Sequence, residues 1–171
     1  MNTLIIYDSV YGSTERIAQA IGTALTPLAN VRVLPVSGTT ASDLAGVDLL
    51  VVGGPTHNHG MSDNMHTFIE NLPHKALQHI SVATFDTRRQ MSPLISGSAA
   101  RIFSGKLRRL GGREIAPAQS FFVTDTVHKE KVQGEKTKTR ESALNEGELE
   151  RAAEWAKEVY ARYSQHEQRA A

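Results

Sequence analysis

An apolar strand, a polar turn and a helix follow one another at the start of the chain. Residues 4–7 (Leu-Ile-Ile-Tyr) form an apolar, partly β-branched run, which is typical of a strand buried on both faces. Residues 8–14 are mostly small or hydroxylic and include Gly12. Apolar side chains then recur at helical spacing from Ile17 to Leu28. This order predicts an α/β fold whose first turn forms an anion site.

The first turn has the chemistry of a phosphate site. The first backbone N–H groups of a helix have no intrahelical acceptor, and the helix dipole makes that end positive. The hydroxyl groups of Ser9, Ser13 and Thr14 add donors, and Gly12 lets the backbone approach a ligand closely. Because no Lys or Arg lies within this turn, we expect one phosphate held by neutral donors. The alternative is that Ser13 or Thr14 only caps the helix.

Composition narrows the class of protein. The 171 residues predict one domain over 1–171, and a formal net charge of +1 argues against a strongly basic nucleic-acid binder. The absence of cysteine excludes disulfides, thiolate metal sites and cysteine nucleophiles. No apolar run approaches the ~20 residues of a membrane span, and the first residues do not resemble a signal peptide. We therefore expect a cytoplasmic protein with no membrane or nucleic-acid partner.

The rest of the chain alternates between strand and helix patterns. Further strands are predicted near residues 31–36, 47–52 and 80–85 and within 114–124, with helices near 63–72 and 98–110 and a last helix that starts near Glu146. This alternation predicts a three-layer α/β sandwich around a five-stranded, parallel, doubly wound sheet, with ligands at the carboxyl ends of the strands. Residues 125–142 are rich in Lys, Glu and Thr, and we interpret them as a charged insertion. A solvated excursion, a small hairpin around 133–134 and a docking surface are the alternatives.

Three predicted loops at these strand ends resemble the flavin site of flavodoxins. Residues 9–14 (SVYGST) resemble the family's phosphate loop, [ST]-x-T-G-x-T, with Tyr11 at the usual threonine. Residues 53–60 (GGPTHNHG) resemble G-x-P-T-aromatic-x-x-G, with His57 where tryptophan is common. Residues 85–93 (FDTRRQMSP) depart from the third pattern, G-x-G-D-x-x-G-Y, because they have two arginines and no later aromatic. The first two loops also resemble the flavodoxin part of flavodiiron proteins.

The resemblance implies a flavodoxin-like fold that binds FMN rather than FAD. The residues that it implies for the cofactor are Ser9, Val10, Tyr11, Gly12, Ser13, Thr14, Pro55, Thr56, His57, Asn58, His59, Gly60, Asp86, Thr87 and Arg88. It implies no catalytic side chain. The spacing of His57, His59 and Asp63 differs from the di-iron pattern of lactamase-like domains, so we expect no metal.

The resemblance favours an electron carrier that works between redox partner proteins. A flavodoxin-like NAD(P)H:quinone or related reductase and a non-redox interaction module of the same fold are the alternatives. A phosphorylated receiver domain is disfavoured because the third strand ends in residues 52–54 (Val-Gly-Gly), without an aspartate. We expect an acidic partner to dock near Arg88 and Arg89 or on the basic helix between Arg101 and Arg113, and the chain to be a monomer or weak dimer.

Overall fold

The computed structural model describes residues 1–56, 60–91, 97–132 and 135–170, of which 127–132, 135–141 and 170 are described by their backbone only. The strands are β1 Asn2–Tyr7, β2 Asn30–Pro35, β3 Leu49–Pro55, β4 Ser81–Arg89, β5 Arg113–Glu114, β6 Gln119–Val132 and β7 Glu135–Leu144. The α-helices are α1 Ser13–Leu25, α2 Asp63–Glu70, α3 Ala99–Arg109 and α4 Glu148–Ala170. Two short 3₁₀ helices cover Val36–Gly38 and Ala41–Leu44.

The strands form one mostly parallel sheet in the order β2-β1-β3-β4-β6-β7, with β5 paired to β4. The pairs β1·β2, β1·β3, β3·β4, β4·β5 and β4·β6 are parallel, and β6·β7 is antiparallel. The carboxyl ends of β1, β3 and β4 therefore meet at one edge of the sheet, where the site was predicted.

Helices cover both faces of the sheet, because the central strands are apolar on both. Alternate β1 side chains divide between two cores: Leu4 and Ile6 pack with α2 and α3, whereas Ile5 packs with α1 and α4. On the second face, the rings of Phe85, Phe121 and Trp155 meet edge to face, with centroids 5.9–6.3 Å apart. The predicted three-layer α/β sandwich is confirmed.

The number of strands differs from the predicted five. The fifth parallel position is occupied by two pieces, because β4 pairs first with β5 and then with residues 119–123 of β6. Pro117 lies in the break between them and has no backbone N–H to donate to a ladder. The charged segment adds the seventh strand: residues 124–132 pair with 135–143 as an antiparallel hairpin, one of the alternatives left open above.

Two strands extend further than the sequence indicates. Residues 53–55, which we predicted in a loop, continue β3 in register with Phe85, Asp86 and Thr87 of β4. Glycine is needed at 53 because a Cβ built there would lie 2.0 Å from a ring carbon of Phe85. Consequently Asp86, Thr87 and Arg88, which we predicted in a loop, lie on a strand and are buried.

We predict that Gly53→Ala destabilises the fold by about 3 kcal/mol, because overpacking a buried core costs roughly 1–3 kcal/mol and the Phe85 ring has little room to move. The matched control is Gly105→Ala in α3, where an added Cβ meets nothing within 4 Å. Removing a mid-helix glycine should stabilise by about 0.5–1 kcal/mol. Urea unfolding of both variants checks the prediction, and equal midpoints would contradict it.

Candidate functional site

The turn after β1 presents a row of backbone N–H groups at the start of α1. Gly12, the residue before the helix, has φ +84°, a conformation that favours glycine. Among the described residues, no acceptor is found for the N–H groups of residues 10–14. Asp8 N donates to Gly53 O at 3.0 Å, which holds this turn beside the end of β3. An anion placed here would meet several donors and the positive end of the helix dipole.

The hydroxyl groups of the turn serve different purposes. Ser9 Oγ accepts from Glu15 N at 3.3 Å, and Thr14 Oγ1 lies 2.7 Å from Thr87 Oγ1 in a buried contact. Ser13 Oγ instead donates to Ser142 O, at the base of the β6–β7 hairpin, at 2.9 Å. Ser13 therefore joins the turn to the base of the hairpin. The apolar side chains of the turn, Val10 and Tyr11, are exposed.

A second tyrosine supports the start of α1. Tyr7 is buried at the end of β1, and its hydroxyl donates to Glu15 Oε1 at 3.1 Å. Burial, followed by the hydrogen bond and charge of Glu15, raises the pKa of Tyr7. The phenol therefore stays protonated and keeps donating to Glu15 at neutral pH.

A buried carboxylate connects the ends of β3 and β4 to the start of α3. Asp86 has no exposed surface, and its Oδ2 accepts from Thr56 Oγ1 at 3.0 Å, Ser98 Oγ at 2.6 Å and Ala100 N at 3.1 Å. Ala99 N donates to Thr56 Oγ1, and Arg101 N donates to Ser98 Oγ. Three N–H groups that a helix start leaves without partners are thus satisfied, and the carboxylate lies at the positive end of the dipole.

The two arginines after Asp86 have different surroundings. Arg88 is buried: its Nε donates to Ser120 Oγ at 3.0 Å, its Nη1 donates to Met91 O at 2.7 Å, and its Cζ lies 5.3 Å from the Phe122 ring centroid. Arg89 is 57% exposed and pairs with Asp125, with 3.0 Å between Nε and Oδ2. Burial makes Arg88 unsuited to the docking role that we expected of it.

A cavity of about 120 Å³ joins these groups. Its walls come from Val10, Tyr11, Ser13, Thr14, Pro55, Thr56, Thr87, Arg88, Arg89, Val123, Asp125 and Ser142. The structure thus brings together predicted residues from β1, β3 and β4. Four other predicted residues do not line the cavity: Ser9 and Gly12 belong to the same turn, Asp86 lies behind the cavity wall, and Gly60 is described but is not part of the wall. The remaining three, His57, Asn58 and His59, lie outside the described residues.

The side of the cavity formed by Val123, Asp125 and Ser142 was not predicted from the sequence. Val123 is the last residue of β6 that pairs with β4, and Asp125 lies just beyond it, so both occupy the carboxyl end of the fifth parallel position. The rule that places ligands at such ends applies to this position as well. Reading 125–142 as an insertion obscured this signal.

The basic segment that we expected between Arg101 and Arg113 is partly neutralised. It has four cations on α3 and a fifth, Arg113, on β5. Three of the five form ion pairs: Lys106 with Glu70, Arg108 with Glu114 at 3.5 Å, and Arg113 with Glu167 at 3.1 Å. Arg101 and Arg109 have no carboxylate partner within the described part of the chain. Lys106 also lowers the pKa of Glu70, first through its hydrogen bond and then through its charge. The positive charge available to a partner is smaller than the sequence indicates.

The described residues contain no group of three or more His, Asp or Glu side chains arranged to hold a metal ion. None of their helices is both long enough and apolar enough to cross a bilayer.

Residues 4–108 match the family model of the flavodoxin domain. The chain belongs to the flavodoxin family. Flavodoxins are FMN-binding proteins, so the predicted family and cofactor are confirmed. The roles of individual residues stay predictions. The hairpin and α4 lie beyond the matched range.

Solved structures share the fold. A flavodoxin from the domain Archaea is 18% identical, with 96% of this chain and 99% of that chain covered and a TM-score of 0.72. Oxidised flavodoxin 1 from Bacillus cereus is 17% identical, with 97% and 99% covered and a TM-score of 0.71. Rubredoxin oxygen:oxidoreductase from Desulfovibrio gigas is 16% identical, with 94% of this chain but 36% of that chain covered and a TM-score of 0.67. No curated protein matches this chain.

We predict that Asp86→Asn destabilises the protein by about 2–4 kcal/mol, because hydrogen bonds to a charged group contribute roughly 1.5–3 kcal/mol each and a neutral amide oxygen in place of Oδ2 would accept the same three more weakly. The amide NH2 would replace Oδ1, which lies 3.8 Å from Arg88 Nε, and would bring two donors together there. Asp63→Asn, at the exposed start of α2, is the control and should cost under about 1 kcal/mol. Chemical unfolding of both variants measures the difference. Equal losses would show that the buried network contributes little.

Proposed function

We propose that this chain is an FMN-dependent electron carrier that exchanges electrons with separate redox partner proteins. The observation that supports the proposal is the convergence of unpartnered N–H groups and hydroxyls at the start of α1, beside the ends of β3 and β4. Bound FMN supplies the redox chemistry, and the chain binds and orients it.

The donors at the start of α1 fit the phosphate of FMN. They are the N–H groups of residues 10–14 with the hydroxyls of Ser9 and Thr14, and the helix dipole adds favourable potential. Drug-sized ligands occupy roughly 300–1,000 Å³, so a cavity of about 120 Å³ encloses only part of the nucleotide. The enclosed part is the phosphate end, because that is where the donors are.

The apolar rim of the cavity suits the flavin ring. Val10 and Tyr11 are exposed at 58% and 45%, and Pro55 completes this side of the wall. An aromatic side chain gains from packing on another ring, and covering exposed apolar surface adds to that gain. We propose that partner proteins approach this rim, because electron transfer needs the ring near the surface. Asp86 acts behind the site by fixing Thr56 and α3.

The double variant Ser9→Ala, Thr14→Ala should weaken FMN binding by about 1–3 kcal/mol, because it removes hydroxyl donors to a charged phosphate. Riboflavin affinity should change little. Thr26→Ala, whose hydroxyl bonds Gly22 O at the other end of α1, is the control and should leave FMN affinity unchanged. Flavin fluorescence during titration of the flavin-free chain measures these affinities. An unaltered FMN affinity in the double variant would remove the phosphate assignment.

Mixing the FMN-loaded chain with NADH or NADPH in the absence of oxygen separates a carrier from a reductase. A carrier should leave the flavin absorbance near 450 nm unchanged over minutes until a catalytic amount of a separate reductase is added, after which the absorbance should fall. Rapid bleaching by NADH or NADPH alone would replace the carrier proposal with the reductase alternative.

A further inference from the structure

The cavity contains fixed charges in addition to neutral donors. Arg88, Arg89 and Asp125 all line it, together with Ser13 and Thr14 of the turn. We expected neutral donors alone around the phosphate, because the turn itself carries no cation. The structure brings the cations from β4 and the carboxylate from β6.

Of the two arginines, Arg89 is the one available to a ligand. Arg88 is buried, with Nε on Ser120 and Nη1 on the Met91 carbonyl. Arg89 is more than half exposed, and its Nε pairs with Asp125. Within the described part of the chain, the other N–H groups of the Arg89 guanidinium have no acceptor. A guanidinium has five N–H donors in a planar fork, an arrangement that suits phosphate oxygens.

Asp125 is held at the phosphate turn by the base of the hairpin. It is the register partner of Ser142 in the β6·β7 ladder, and the Ser142 carbonyl accepts from Ser13 Oγ at 2.9 Å. Its carboxylate is 17% exposed and lies on the cavity wall. A carboxylate so placed repels a phosphate dianion, and its pairing with Arg89 offsets that repulsion.

We infer that Arg89 is a phosphate-binding residue of this site and that Asp125 opposes it, so that this ion pair determines how strongly the chain prefers the phosphorylated flavin to riboflavin. The inference rests on the proposed FMN function. In the ligand-free chain, Asp125 holds the guanidinium at the cavity wall. When the phosphate is bound, Arg89 shares its donors between the phosphate and Asp125. The base of the hairpin thereby becomes a determinant of ligand specificity.

The test compares FMN and riboflavin affinities in the flavin-free full chain and its variants at low salt. Arg89→Gln should weaken FMN about tenfold and leave riboflavin within about twofold, because a charge-assisted hydrogen bond to the phosphate is lost. Asp125→Asn should tighten FMN by about threefold, because a like charge is removed. The double variant should lie between the unchanged chain and Arg89→Gln. Arg89→Lys should retain much of the preference, because it keeps the charge.

Arg108→Gln is the matched control, since Arg108 is also exposed and ion-paired but lies on α3, away from the cavity. It should leave both affinities unchanged. Raising the salt to about 0.5 M should shrink the Arg89 effect, because exposed charges are screened. Circular dichroism shows whether each variant is folded, and an exposed side chain such as Arg89 should not be needed for folding.

Several outcomes would overturn the inference. FMN affinity that is unaffected by Arg89→Gln, an equal loss for FMN and riboflavin, or weaker FMN binding in Asp125→Asn would each exclude this role for the pair. If the unchanged chain binds FMN in those cases, the proposed function stands and only the inference fails. If the unchanged chain binds no FMN, the proposed function fails, and the inference fails with it.

Discussion

Both faces of the central strands are buried, and this constraint determines where the molecule can place polar groups. Side chains of β1 and β3 alternate between two apolar cores, so a polar side chain in the middle of either strand would have to be fully paired. Polar side chains at the ends of these strands do not have to be fully paired in this way. In a parallel sheet, the carboxyl ends of neighbouring strands lie along one edge, so the polar groups of β1, β3 and β4 collect there without any sequence proximity.

Asp86 is an exception to this placement, because its carboxylate is buried within a paired strand and also supports the candidate site. It is buried within the paired part of β4, where an isolated charge would be very costly. Three hydrogen bonds and the start of α3 offset that cost. The same contacts fix Thr56 at the end of β3 relative to α3. One carboxylate therefore joins the paired ends of β3 and β4 to α3, which no backbone ladder holds, and this arrangement fixes one side of the cavity.

The sequence was sufficient to predict the layers and the strand–turn–helix unit at the start of the chain, because each has a strong local pattern. The period of residues 17–28 and the hydroxyl-rich turn before them need no knowledge of the rest of the chain. Strand lengths were less predictable. From the sequence, Gly53 looks like the end of a strand. In the structure β3 continues through it, and the Phe85 ring next to it leaves no room for a larger residue. The role of Ser142 was unpredictable locally, because its contact with Ser13 spans 129 positions.

The difference between Arg88 and Arg89 follows from the extension of β4. In a loop, two neighbouring arginines have similar surroundings, and we expected a partner to dock near both, although only Arg88 was assigned to the cofactor. On a strand, neighbouring side chains point to opposite faces. Arg88 therefore shares a face with Asp86, toward α3, where it is buried, whereas Arg89 shares a face with Thr87, toward α1 and the cavity. The extra strand residues are held in turn by pairing with β3 and β6. Backbone pairing therefore determines that Arg88 is buried and supports the structure, whereas Arg89 is exposed and can contact a ligand.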